Sequence, residues 1–358
     1  MKRGGTKIMN LKKKFSGLLA LVLCLSMLAA CGGEPAAPEE DAPEAENGQW
    51  QAVTLTDQAG REVTIENEPQ KIVSGYYITT SLLIALDKQD SLVGIEAKAD
   101  KRNIYSLAAP ALIDLPNVGS AKDFNLEGCI ALEPDLVILP LKLAEAADAL
   151  AELDIPVLLV NPESRELLIE ATNLIAQATG TQDKAEALLS YNEGKLDEIK
   201  GLLEGVEEKP TVYLAGNSDM LSTATSSMYQ DSIITEAGGQ NAAAEIEDNY
   251  WATISYEQLI TWDPDYIVIV PEATYTVDDV LNTPQLANLS AVMNGHVYAM
   301  PSAFEAWDSP VPSGILGTLW MTSLLHSDVY SFETMQDAAA DFYQTFYGFQ
   351  LNKADLTQ

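Results

Sequence analysis

Cationic side chains are scarce in this chain. Of its 358 residues 20 are Lys or Arg, against 53 Asp and Glu. Six of the 20 (Lys2, Arg3, Lys7, Lys12, Lys13 and Lys14) crowd into the N-terminal segment, leaving 14 basic against 53 acidic residues beyond it. Such a surface repels nucleic acid and anionic lipid, so neither is expected as a partner, while a receptor with basic docking residues would be steered in. Histidine is scarcer still, with two. His296 follows an Asn-Gly turn into a strand and His326 ends a helix. Neither has metal-ligand spacing, and both read as structural. The chain has no P-loop, no Gly-x-Ser-x-Gly elbow, no His-Glu-x-x-His and no Cys pair. An enzyme is therefore the remote reading, and no metal or cofactor of the protein's own is expected.

Cysteine is the third scarcity, with three residues. Cys24 falls in an apolar run, Phe15 to Leu25, behind the basic head. Together they read as a signal peptide over residues 1–30, too short to span a membrane convincingly. It ends in Leu28-Ala29-Ala30-Cys31, which resembles a bacterial lipobox, so Cys31 is expected to carry the lipid and become the mature N-terminus. The acyl chains would anchor the protein to the outer face of the cytoplasmic membrane without spanning it. Residues 31–50 are Pro- and Glu-rich with almost nothing to bury, and read as a flexible tether. Cys129 stands alone, so no intramolecular disulfide is expected.

What remains, roughly 310 residues, is too long for one comfortable core and suggests two domains. Val53 to Asp57 and Arg61 to Ile65 flank a Gln-Ala-Gly turn and read as a hairpin. Short β-branched runs then alternate with helical patterns: Ile72 to Ser74, Leu92 to Ile95, Asp135 to Leu139 and Pro156 to Val160, then Thr211 to Leu214, Tyr266 to Val270 and Val297 to Met300. Alternation of this kind implies mostly parallel sheets flanked by helices. An internal echo divides the chain. In both Glu127…Pro134-Asp135 and Glu257…Pro264-Asp265, Glu is followed seven residues later by Pro-Asp and then a buried strand. Asn125 and Ser255 stand two residues before those Glu as helix N-caps. Between the halves, Ala185, Leu188, Leu189, Leu196, Ile199, Leu202 and Leu203 share one helical face. The expected architecture is two similar α/β lobes, 51–180 and 207–350, joined by a connecting helix over 181–206, with a ligand cleft between the lobes. A stiff helical joint allows only small hinge movement.

The segments Lys71-Ile-Val-Ser74, Asn125-Leu-Glu127, Glu133-Pro-Asp-Leu-Val-Ile138, Glu236-Ala-Gly-Gly-Gln-Asn241 and Ser255-Tyr-Glu257 with Asp263-Pro-Asp265 resemble, in order and spacing, a known family. It is the helical-backbone (class III) group of periplasmic-type binding proteins, which serve ABC importers of ferric siderophores, haem and cobalamin. The likeness covers residues 53–345. It implies an extracytoplasmic, monomeric solute-binding component that delivers its cargo to a permease, with Glu127 and Glu257 as the carboxylates that dock on permease Arg residues.

Ligand is expected outside the carboxyl ends of the strands. Tyr76 and Tyr77 follow the strand ending at Ser74. The resemblance adds Trp251, where cobalamin-binding relatives carry a pocket Trp, and the loop bearing Glu305, Trp307 and Asp308. Ala121 stands where those relatives have their other Trp, which counts against cobalamin. A lining of Tyr, Trp and carboxylates, with only Lys98, Arg102 and Lys122 near, favours a neutral or cationic chelate over a polyanionic triscatecholate. An iron chelate of the hydroxamate type is the first expectation. A corrinoid or haem, the latter with a Tyr76 or Tyr77 phenolate on iron, is the alternative.

Overall fold

The computed structural model describes residues 50–247 and 251–358. The signal peptide, Cys31 and the tether up to residue 49 lie outside the described residues; Trp50, the last position of that segment, is half-buried and packs against the main core. A hairpin opens the fold: β1 (Val53–Thr56) pairs antiparallel with β2 (Glu62–Ile65). Asp57 closes it, accepting from the backbone N–H of Ala59 and Arg61 and from Arg61 Nε. The same buried carboxylate accepts from the N–H of Leu159, which ties the hairpin to the first lobe.

That lobe runs β3 (Ile72–Ser74), α1 (Tyr77–Ala85), β4 (Leu92–Ile95), α2 (Asn103–Ala108), β5 (Gly119–Ser120), β6 (Asp123–Phe124), α3 (Leu126–Ala131), β7 (Leu136–Pro140), α4 (Ala144–Ala151), β8 (Val157–Val160) and α5 (Arg165–Thr179). Its four main strands form a wholly parallel sheet in the order β4-β3-β7-β8. The long helix α6 (Gln182–Leu202) follows. The second lobe contains β9 (Thr211–Ala215), β10 (Ser222–Thr223), α7 (Tyr229–Glu236), β11 (Gln240–Asn241), β12 (Ala252–Thr253), α8 (Tyr256–Trp262), β13 (Tyr266–Ile269), α9 (Val277–Leu281), α10 (Ser290–Asn294) and β14 (Val297–Ala299). Two helices end the chain, α11 (Ile315–Leu325) and α12 (Phe332–Tyr347). The second sheet is ordered β12-β10-β9-β13-β14, with β11 also on β9. β11, β13 and β14 run parallel to their neighbours, and β10 and β12 make an antiparallel edge.

The sequence echo has one structural cause in both lobes. Glu133 and Asp263, each just before a Pro, take left-handed φ values of 51° and 42° and end their helices. The following Asp then grips the start of the neighbouring strand. Asp135 accepts from the N–H of Gln70 and Lys71, and Asp265 from the N–H and hydroxyl of Thr211. Each Pro-Asp thus sets the register of β7 on β3, or of β13 on β9.

One apolar core runs through both lobes, from Ile72 and Leu136 to Val212, Leu214 and Val268. Smaller clusters cover the outer face of each sheet. Helix α6 contributes Ala185, Leu188 and Ile199. Helix α12, grouped by sequence with the second lobe, lies against α1 of the first as well as against α11. Among the described residues no helix is long and apolar enough to cross a membrane.

Candidate functional site

The sharp turn after β3 delivers two aromatic rings to the end of the first sheet. Gly75 makes it possible, since a Cβ there would stand 2.5 Å from a Leu139 methyl. Tyr76 and Tyr77 follow, half-buried and packed edge to face with ring centroids 5.3 Å apart. The Arg102 guanidinium covers Tyr77, 4.1 Å from its centroid. That arginine is not a free cation: its Nε lies 3.3 Å from Oε1 of buried Glu96. Glu96 also accepts from Thr80 Oγ1 and the Tyr105 hydroxyl, both at 2.7 Å. Nothing in the residue pattern singles out Glu96 except its place directly after β4.

The second lobe meets these rings through the loop after β14. Tyr77 OH donates to Ser309 Oγ at 3.3 Å, and Asn103 Nδ2 to the Ala303 carbonyl at 2.9 Å. Glu305 takes hydrogen bonds from Ser81 of α1, at 2.5 Å, and from Ser313, so it ties the lobes together. Burial pushes its carboxyl above the usual range. Asp308 is buried beside Gln230 and near Glu272, and burial pushes it up to about 7. Burial likewise raises both phenols, Tyr77 to about 12. Near neutral pH the two tyrosines are hydrogen-bond donors, not phenolates.

Trp251 is half-buried and leans on Gly216, where a Cβ would come within 3.1 Å of its ring. Gly216 ends β9 as Gly75 ends β3, so each lobe sets aromatic rings beside a strand-end glycine. Trp307 does not join them. It is 1% exposed, packed in the main core, with its indole N–H donating to Tyr343 OH of α12. Where a ligand-facing wall was expected, the side chain points into the protein, because α12 offers it both apolar contact and an acceptor. Lys98 and Lys122 are exposed.

Glu127 and Glu257 occupy equivalent places on the outside of the two lobes, each exposed in the first turn of its helix, α3 or α8. Capping is done by their neighbours: Asn125 accepts from the Gly128 N–H and Ser255 from the Gln258 N–H. Backbone N–H groups, then Ser255, hold the Glu257 carboxyl below its usual range. The histidines serve the scaffold. His296 stacks on Tyr266 at 4.5 Å and reaches the Asp265 carbonyl, and buried His326 faces the Gly238 carbonyl.

The profile of the periplasmic binding protein family matches residues 72–304, which takes in both sheets. The chain belongs to that family. Within it, this binding protein has the class III fold of two α/β lobes, and it is the solute-binding component of an ABC importer. It is similar to the molybdate-binding protein MolA of Haemophilus influenzae, at 24% identity over 82% of this chain and 90% of MolA. The molybdate-bound structure of MolA superposes with a TM-score of 0.74 over 84% of this chain and 99% of that one, at 23% identity. A periplasmic solute binding protein from Veillonella parvula gives a TM-score of 0.75 at 28% identity, over 85% and 95% of the two chains. An uncharacterized ABC transporter substrate-binding lipoprotein of Bacillus subtilis, YvrC, is 27% identical over 72% of this chain and 81% of its own.

Proposed function

We propose that the binding protein captures a neutral or cationic iron chelate of the hydroxamate type between its lobes and delivers it to the permease. The observation that carries this is the Tyr76–Tyr77 pair under Arg102, whose charge Glu96 already offsets. Glu163 acts electrostatically on Tyr76, and Glu272 on Asp308. Such a lining offers flat apolar faces and donor hydroxyls, and its arginine is already paired, which suits a chelate without excess negative charge. A second reading, a molybdate-like oxyanion, is supported by the likeness to MolA and by the part of Arg102 that stays exposed. Titration with a cationic ferric trihydroxamate, a ferric triscatecholate, a corrinoid, haem and molybdate, followed by Trp fluorescence, separates them. The trihydroxamate is expected to bind tightest; a preference for the triscatecholate overturns the charge argument, and a preference for molybdate establishes the second reading.

Delivery in this reading uses Glu127 and Glu257 as the two contacts with basic permease residues, and Cys31 as the lipidated anchor. Cys31→Ser is expected to release the protein from membranes or to stop its maturation. A variant that matures and fractionates with membranes as the wild type does removes the anchor from the proposal.

A further inference from the structure

We propose that Glu96 sets the charge selectivity of the interlobe cleft, by fixing Arg102 over Tyr77 and cancelling its charge. The inference rests on the reading of that cleft as the site of a neutral or cationic chelate, and it names the residue on which the preference turns. Arg102 stands where the lobes meet. The next residue, Asn103, bonds the Ala303 carbonyl of the second lobe, and Tyr77, the ring under the guanidinium, bonds Ser309. The arginine side chain is 29% exposed, and among the described residues Glu96 is the one carboxylate within ion-pair distance of it.

Glu96 itself is 5% exposed and acts from behind. Its two oxygens divide the work. Oε2 accepts from Thr80 of α1, whose hydroxyl also lies 2.8 Å from Ser74 Oγ at the end of β3. Oε1 accepts from Tyr105 of α2 and faces Arg102 Nε. The carboxylate is thus pinned by β4, α1 and α2 together, and it holds a long side chain flat against a ring. An arginine does not lose its proton in a protein, so the charge it shows the cleft depends on its counterion and not on its own titration. With Glu96 in place the pair carries no net charge, and an anion approaching a chain with 53 acidic and 20 basic residues meets repulsion. Without Glu96 the same guanidinium becomes a free cation in a partly enclosed site, where a charge contact is worth several times its value in water. Glu305 also feels Arg102, but its oxygens are engaged by Ser81 and Ser313, so it does not take the place of Glu96 at Nε.

The experiment titrates the mature protein, at neutral pH and fixed salt, with three ferric trihydroxamates that share one iron shell. A linear chelate with a free amine is the cation, its N-acetyl derivative is neutral, and its N-succinyl derivative is the anion. Wild-type affinity is expected to fall from cation to anion. Glu96→Gln keeps the side chain's shape and an acceptor for Tyr105 or Thr80, and is expected to raise the anion-to-cation affinity ratio by about tenfold or more. Adding Arg102→Leu to Glu96→Gln should cancel that rise, because the effect runs through the arginine. A purely structural Glu96 would weaken all three chelates by one common factor; that result overturns the proposal, as does a wild type that prefers the anion. If Glu96→Gln fails to fold, Arg102→Gln decides: it leaves the carboxylate unbalanced and should lower the ratio by about fivefold or more, and an unchanged ratio overturns the proposal. A wild type that binds none of the three removes the reading of the cleft and this inference together. One that binds them, with the ratio unmoved in Glu96→Gln, removes this inference alone.

Discussion

Trp307 and Asp308 are adjacent in the chain and do different work. The Trp307 indole is enclosed by the core and spends its N–H on Tyr343. Trp307→Ala should therefore act first on stability, by about 3–5 kcal/mol, since a large side chain leaves a cavity and Tyr343 loses its donor. Urea denaturation checks this: a loss under about 1 kcal/mol with a large loss of ligand affinity would return Trp307 to the cleft. Asp308 should show itself in pH dependence. Its carboxyl rises from 3.8 to about 7 on burial. Between those values the native state holds a proton that the unfolded state has released, so this contribution is full below 3.8 and is lost as pH rises through about 7. Asp308→Asn should flatten that part of the stability profile, and the wild-type-minus-variant difference removes the other raised carboxyls, Glu236, Glu305 and Asp231. An unchanged profile would show that Asp308 is ionised in the folded protein. Sequence could place both residues in a loop after a strand, but not say which way each faced. The deciding partner of Trp307 lies on α12, and no local pattern announces a contact between such distant segments.

At the scale of elements, the strand runs and the Pro-Asp echo were legible because each rests on local chemistry. A β-branched run marks a buried strand, and a Pro ends the helix before it. The caps at Asn125 and Ser255 were legible for the same reason and occur as expected. The antiparallel edge was not. Ser222–Thr223 and Ala252–Thr253 are two-residue strands with no period to detect. Helices α1 and α11 are hidden differently: Ile78 to Ala85 and the whole of α11 are buried, so no polar face marks them. The cap assignments bear on docking. Because Asn125 and Ser255 satisfy the helix ends, Glu127→Lys with Glu257→Lys should leave folding and solution ligand affinity intact while impairing uptake, with smaller losses in each single variant. Transport assays in cells, beside binding titrations in vitro, read the two separately. Lost ligand affinity in the double variant would put these carboxylates in the scaffold and not at the permease.

Over the whole molecule, the lobes are joined by more than α6. Arg165 of α5 pairs with Glu236 of α7, Tyr77 reaches Ser309, and Ser81 of α1 bonds both Glu305 and the Tyr347 hydroxyl of α12. These links, with a core continuous through both lobes, leave little freedom for wide opening. Two lobes and a helical joint could be read from the echo and the long amphipathic stretch. The return of α12 to the first lobe could not, since its apolar face does not name the partner it covers. A chain ending at Tyr330 should accordingly fail to fold, losing near-ultraviolet dichroism and binding a hydrophobic dye; a cooperative melt from that fragment would contradict the sealing role of α12. The seal also has a consequence for secretion. Exported N-terminus first, the chain would bring α1 across the membrane early and its covering helix last. Ile78, Leu82 and Leu83 are fully enclosed in the finished protein, yet they would stay uncovered through most of translocation. Maturation would then be a race between the arrival of the carboxyl end and capture of the unfinished lobe by extracytoplasmic proteases.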